Sequence, residues 1–288
     1  QWSAGYKVDL LFGPDAIAYN SPAGVTGDFG FKQAYVALRA PVGNGLDFKI
    51  GTWDTCIGYE GFDAPANPNY SRSYAYTLEP LAHTGVMASY QLCPVASVSV
   101  GVANTWVTGV NLRSPRAESS KTYMGLLTLT APDSFGFLKG ATLNAGVVDG
   151  FSGTLTDTTS YYAGVTLPTP LPALSVGAAF DYRTDGPALA ADNRAYAVGG
   201  YASFQASEKL KFNARVEYAN GDDGSFFVNT TPGKNKLLGS TLTADYALWA
   251  NVISRAELRW DHSLNGETPF GVNDKNAISL AANIIYKF

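Results

Sequence analysis

The stretch Asn276-Ala277-Ile278-Ser279-Leu280-Ala281-Ala282-Asn283-Ile284-Ile285-Tyr286-Lys287-Phe288 decides how the chain is read. Successive side chains of an extended chain point to opposite faces. One face therefore carries Ile278, Leu280, Ala282, Ile284, Tyr286 and Phe288, and the other carries Ala277, Ser279, Ala281, Asn283, Ile285 and Lys287. The first face is apolar and ends in two aromatics; the second is mostly small or polar. A strand with lipid on one side and water on the other has this pattern, and about 10 residues suffice for a tilted strand to cross a bilayer. The last strand of a soluble sheet would alternate too, so the remainder of the chain has to decide.

Composition narrows the choice. Charged residues make up 15% of the 288, against about 25% in ordinary soluble proteins. Aromatics reach 13% and there are 30 glycines, yet mean hydropathy is only −0.03. Strands that alternate apolar and polar residues produce that mixture. No run of about 18 apolar residues, the length of a membrane helix, occurs. The chain starts at Gln1 without a basic and then apolar leader, so any export signal is expected to have been removed from this sequence. Net charge is −4 with no basic block, which argues against nucleic acid. Two Cys and two His leave little for a disulfide framework or a metal centre, and without a Cys-x-x-Cys-His there is no covalent haem site. No cofactor and no metal are expected.

Alternating segments recur along the whole chain. Tyr6 to Phe12 opens it, and two strands flank the Gly43-Asn44-Gly45 turn as a hairpin. Others centre on Val86 to Tyr90, Val98 to Trp106, Tyr123 to Leu129, Leu143 to Val147, Tyr161 to Leu167, Leu174 to Tyr182, Tyr196 to Phe204, Leu210 to Tyr218, Leu238 to Tyr246 and Val252 to Trp260. With the last stretch this gives about 14. Connections alternate in length: 13–30, 56–80, 109–120, 184–193, 220–235 and 261–275 are long, while 41–45, 93–95, 168–172 and 206–208 are short. Turn 131–140 and loop 150–158 are intermediate. Up-and-down outer-membrane barrels sort their connections this way, with short periplasmic turns, and an even strand count leaves both termini periplasmic. The expected fold is all-β: one closed, antiparallel, up-and-down transmembrane barrel spanning residues 1–288 as a single domain. Trp106, Tyr182, Tyr218, Tyr246, Trp260 and Tyr286, near strand ends, suit interfacial girdles.

On that reading the polar face turns inward. It carries Lys7, Arg39, Lys49, Arg183, Lys211, Arg215, Arg255 and Arg259 against Asp9, Asp47, Asp181, Glu217, Asp245 and Glu257. These are the expected pore-lining residues; the lumen is mixed in charge and weakly positive, with a slight preference for anions. Paired charges across a plugged lumen are the alternative. The loop 56–80 is long enough to be functional, and Tyr59, Phe62, Tyr70, Tyr74 and Tyr76 give it surface to pack. Folded inward, its Glu60, Asp63, Tyr70 and Arg72 would constrict the path; folded outward, it would cap the molecule. Cys56 and Cys93 fall at opposite ends of neighbouring strands, farther apart than the roughly 7 Å a disulfide tolerates between Cα atoms, so no bond between them is expected.

Gly51-Thr52-Trp53-Asp54-Thr55, Gly58-Tyr59-Glu60, Asn67-Pro68-Asn69-Tyr70-Ser71-Arg72-Ser73 and Pro80 with His83-Thr84-Gly85 resemble the motif region of the OmpL-like outer-membrane β-barrel porins. The aromatic end of the last strand is similar to that of bacterial outer-membrane barrels in general. Cys56 stands where that family's pattern has Pro. The resemblance implies a porin-like channel in a Gram-negative outer membrane and names no solute. The expected function is passive diffusion of small polar solutes or ions. Its rival is a plugged, structural barrel that binds a partner through its outer loops. The partners expected are outer-membrane lipid, the solutes, and further copies of the chain, a trimer by analogy. An enzyme is not expected: Asp261, His262 and Ser263 are adjacent, so their side chains diverge and cannot form a nucleophile, base and orienter chain.

Overall fold

In the computed structural model, residues 1–20, 27–107, 113, 119–152, 156–186, 193–227 and 234–287 are described. They form a 14-stranded sheet in which every strand pairs with its sequence neighbours, in the order β1 to β14. The strands are β1 Ser3–Phe12, β2 Phe29–Ala40, β3 Leu46–Asp54, β4 Ala82–Cys93, β5 Ala96–Ala103, β6 Thr122–Thr130 and β7 Thr142–Phe151. They continue with β8 Asp157–Pro168, β9 Leu174–Asp185, β10 Asn193–Gln205, β11 Leu210–Gly221, β12 Asn235–Trp249, β13 Val252–Ser263 and β14 Asn276–Tyr286. A short helix, α1 Pro14–Asn20, follows β1, and short 3₁₀ turns lie at Ala64–Ala66, Ala75–Leu78 and Asp133–Leu138.

The expectation of a closed barrel is corrected. β1 pairs only with β2, and β14 only with β13, so among the described residues no ladder joins the first strand to the last. Both are edges. On β14 the side chains of the uncovered face show it: Ile278, Leu280 and Ile284 are 73%, 82% and 71% exposed, whereas Val100, flanked by strands on both sides, is 55% exposed. Alternation and turn length specify the pairing of consecutive strands. They do not specify the pairing of the two most distant ones, the contact with the largest loop-closure cost. The alternation expected at Asn276 to Tyr286 is present; Phe288 lies outside the described residues.

One register runs through all 14 strands. Asp9 stands opposite Gln33, Tyr35 opposite both Lys7 and Gly51, and Lys211 opposite Asp245, which in turn faces Arg255. Followed across the sheet, this register puts all fourteen residues expected to share the polar face on one face. There the ordinary polarity of a sheet is inverted. Arg215 and Glu217 are 1% and 2% exposed, while Val216 between them is 57% exposed. A soluble sheet would bury the valine. An apolar face left bare over this many strands is the arrangement expected against lipid.

The buried face is not empty. Residues 56–80 lie across it, and the apolar core forms between them and the sheet. One cluster gathers Trp53, Met87, Trp106, Met124, Tyr162 and Tyr201 around Ile57 and Tyr59. A second gathers Ala195, Ala197, Ala219 and Leu237 around Tyr74, Ala75 and Leu78. Trp106, expected in an interfacial girdle, belongs instead to the first cluster, with the Arg183 guanidinium 5.9 Å from its ring centre. Small residues on the sheet make room for these segments. A Cβ on Gly177 would lie 2.0 Å from the Tyr59 hydroxyl oxygen; Gly51 instead serves the sheet itself, with a φ of +133° that L side chains rarely adopt and a Cβ that would lie 2.3 Å from the Ala34 carbonyl oxygen of β2. Gly51→Ala is therefore expected to cost about 1 to 3 kcal/mol, read as a lower temperature for the folded-to-unfolded shift on semi-native gels; an unchanged transition would contradict this packing.

Candidate functional site

Residues 56–80 form a strap with almost no regular structure, so its buried backbone N–H and C=O groups need partners from elsewhere. β11 and β13 supply them, through side chains of opposite sign. Arg215 Nη1 donates to the Ser71 carbonyl oxygen at 2.8 Å, and its Nη2 donates to the Arg72 carbonyl oxygen at 3.3 Å. Arg255 donates to the carbonyl oxygens of Asn67 and Asn69 at 2.9 and 3.0 Å. Arg259 Nη1 reaches the Arg72 carbonyl oxygen at 2.6 Å. Glutamates take the N–H groups. Glu257 accepts from Tyr70 and Ser71 at 2.6 and 2.9 Å, and Glu217 accepts from Tyr74 at 2.5 Å. Arginines thus hold the strap's carbonyls and glutamates its amides.

A buried ion cluster joins the two sets. Arg215 pairs with Glu60 of the strap at 2.8 Å and with Glu217 of its own strand at 3.0 Å; the side chains of all three are at most 1% exposed. Glu60 in turn accepts from the Ser73 N–H at 2.9 Å. Removing one member of such a cluster leaves an uncompensated buried charge, which costs about 3 to 5 kcal/mol.

From the β2 side the strap is also held at Asp63, by Lys32. Its Nζ lies 2.5 Å from Asp54 and 3.1 Å from Asp63. Strict alternation hides this residue, because the register shifts there: Asp9 faces Gln33 and Leu10 faces Phe31. Lys32 is the extra residue of a β-bulge, and both Lys32 and Gln33 are buried. A Lys followed by a Gln inside an alternating run is the signal that could have disclosed it.

The expected constriction residues divide by role. Glu60 is a buried anchor. Arg72 clamps the strap on itself, donating to the Gly61 and Phe62 carbonyl oxygens at 2.9 and 2.7 Å. Asp63 and Tyr70 are the more exposed pair, at the strap's surface. Among the expected polar-face residues, Asp181, Arg183, Arg215, Glu217, Asp245, Arg255, Glu257 and Arg259 gather around the strap or its partners. Lys7 with Asp9, and Arg39 with Asp47, pair across or along β1 to β3, away from it. Lys49 lies over the Tyr35 ring, 5.1 Å from its centre.

Glu79, where the strap returns to the sheet, faces Asp181 of β9 carboxyl to carboxyl. Asp181 is 1% exposed, and no donor reaches either of its oxygens. A contact between two buried carboxyls requires a shared proton. Burial first, and the Asp181 charge second, hold the Glu79 carboxyl well above its ordinary 4.5. Burial likewise pushes the Cys56 thiol up to about 11. Cys56 and Cys93 are both free thiols, and Cys93 is exposed.

Under the strap, on the side of the short turns, lies a cavity of about 630 Å³. Its roof is Tyr59 with the segment 65–68, and its walls come from β7 to β13. The Tyr59 ring stacks on Tyr201 with centres 4.1 Å apart.

The sequence model of one protein family, "Putative beta-barrel porin-2, OmpL-like", matches residues 1–288. The chain belongs to that family. It is thus an outer-membrane protein with a porin-like role in membrane transport. No curated protein matches it by sequence. Among solved structures, the anion-selective porin from Comamonas acidovorans superposes with a TM-score of 0.64 at 13% identity, covering 100% of this chain and 85% of that one. The outer-membrane channel DcaP of Acinetobacter baumannii gives 0.62 at 11% identity, covering 99% and 80%. A trimer form of OmpT from Vibrio cholerae gives 0.58 at 14%, covering 90% and 79%. At such identities the likeness is one of fold.

Two outcomes are expected. Arg215→Met should lower the unfolding temperature and expose 56–80 to limited proteolysis while leaving the strands protected; an intact strap would contradict its anchoring role. For Glu79 the docked state holds the proton more tightly than the free strap does. The stability this pair contributes is therefore complete below 4.5 and lost as pH rises through the raised value. Cleavage of the strap should increase on that alkaline side in wild type and lose most of its pH dependence in Glu79→Gln; a pH-independent wild type would contradict the shared proton.

Proposed function

We propose that the chain is a passive diffusion channel for small polar or ionic solutes, with the strap setting size and charge selection along the polar face. The observation that carries this reading is the inverted polarity of the sheet, with a network of charges inside and a bare apolar face outside. Water and polar solutes can follow a charged path, while apolar ones lose by leaving lipid. Short turns and both termini are assigned to the periplasm, following the parity of the connections. The OmpT trimer supports a trimeric assembly for this chain as well.

Catalysis has no part in this reading. His262, the one histidine near a serine and an aspartate in sequence, stacks on Trp260 at 5.6 Å, and its Nδ1 lies 2.8 Å from Asn276 Oδ1. That is a packing role at the end of β13.

Dense burial of Glu60, Asn69, Ser73 and Leu78 in the strap favours one rival, a sheet plugged by its strap, with a structural or surface-binding role. Reconstitution in planar bilayers separates the two. Stepwise conductance is expected from wild type, with a larger unit step once residues 61–75 are replaced by a short Gly-Ser linker. Persistent silence from folded wild-type protein would overturn the channel.

A further inference from the structure

The cavity beneath the strap has charges that the strap does not use. Arg255 is fully engaged: it grips Asp245 through Nε and Nη2 at 2.6 and 3.0 Å and spends its other donors on strap carbonyls. That pair adds no net charge to the cavity. Lys209, Lys211 and Lys287 also line it, with Glu208 as the one other acid. Among the described residues, none of these three ammonium groups has an ion-pair partner. Three free cations therefore stand against one carboxylate, at the mouth facing the short turns.

Their spacing bears on what they can hold. Lys211 on β11 is in register, through Asp245 and Arg255, with Asn283 of β14, four residues before Lys287, so the two lysines are offset by about 14 Å across three strand spacings and by about 13 Å along the strands. No small inorganic ion spans that offset. A single point charge cannot engage both; an anion with charge at two ends can. The wall from β7 to β10 offers uncharged groups, among them Asn144, Thr166, Ser175 and Gln205, suited to hydroxyl or carbonyl oxygens between those ends.

We propose that this cavity is a binding site for small organic solutes carrying two or more carboxylate or phosphate groups, held between Lys211 and Lys287 with Lys209 at the mouth. The site rests on the reading of the chain as a channel, since it lies on the proposed path and names the solute class. An ammonium group is a point charge that serves carboxylate and phosphate alike, so the test uses one probe of each kind.

Citrate and fructose 1,6-bisphosphate are titrated by calorimetry into the folded, full-length protein in detergent at low ionic strength, with glycerol as the neutral control. Saturable binding of either anion and none of glycerol is expected, and the tighter anion identifies the preferred headgroup. Lys211→Ala and Lys287→Ala should each weaken binding about fivefold, with Lys211→Arg close to wild type. Absence of saturable binding by both anions, or unchanged affinity in both alanine variants, would overturn the site. Because calorimetry needs no conduction, anion binding by a protein that is silent in bilayers would sink the channel reading and leave the site standing.

Discussion

Arg215 is the interaction on which the remainder depends. A strap of irregular chain laid across a sheet has backbone groups that neither a helix nor a ladder can satisfy, and burial makes each one costly. Arg215 meets two carbonyls of the strap while pairing with Glu60 and with Glu217, which it shares with Arg259, so one guanidinium serves backbone and charge together. Arg255, Arg259 and Glu257 repeat the device along β13. The planar fork of arginine suits this task, since it presents several donors in fixed directions. Lysine at these positions would supply the charge without the geometry.

Much of this was legible in the sequence, for reasons tied to particular residues. Alternation of Leu210, Phe212, Val216 and Tyr218 with Lys211, Asn213, Arg215 and Glu217 is decided by local geometry alone, so strand count, order and the shared face of the charges followed from it. Closure of the barrel was expected and is not what the ladder shows, because no local signal in β1 or β14 encodes their mutual pairing. The bulge at Lys32 broke the period at one residue and concealed the cation that pins the strap. Trp106 was misplaced because an aromatic just past a strand end reads the same whether it faces lipid or packs under Arg183.

The candidate site was legible in outline and not in roles. Length and aromatic content marked residues 56–80 as a loop with surface to pack, and it does pack against the sheet. Nothing in Glu60 distinguishes a carboxylate that faces solutes from one buried against an arginine 155 positions away; only the tertiary fold does. The same holds for Glu79 and Asp181, which are distant in sequence and meet as two acids, with no other donor on Asp181. These pairings divide the charged residues into those that hold the strap and those, such as Lys209, Lys211 and Lys287, that line the cavity without an ion pair among the described residues.

A double-mutant cycle on Glu60 and Arg215 tests most directly whether a buried ion network holds the strap in place. Thermal unfolding of wild type, Glu60→Gln, Arg215→Met and the double variant would give the coupling energy. Strap anchoring through this pair requires a coupling of about 1.5 kcal/mol or more, with the double variant less destabilised than the sum of the singles. Additive effects within about 0.5 kcal/mol would contradict it.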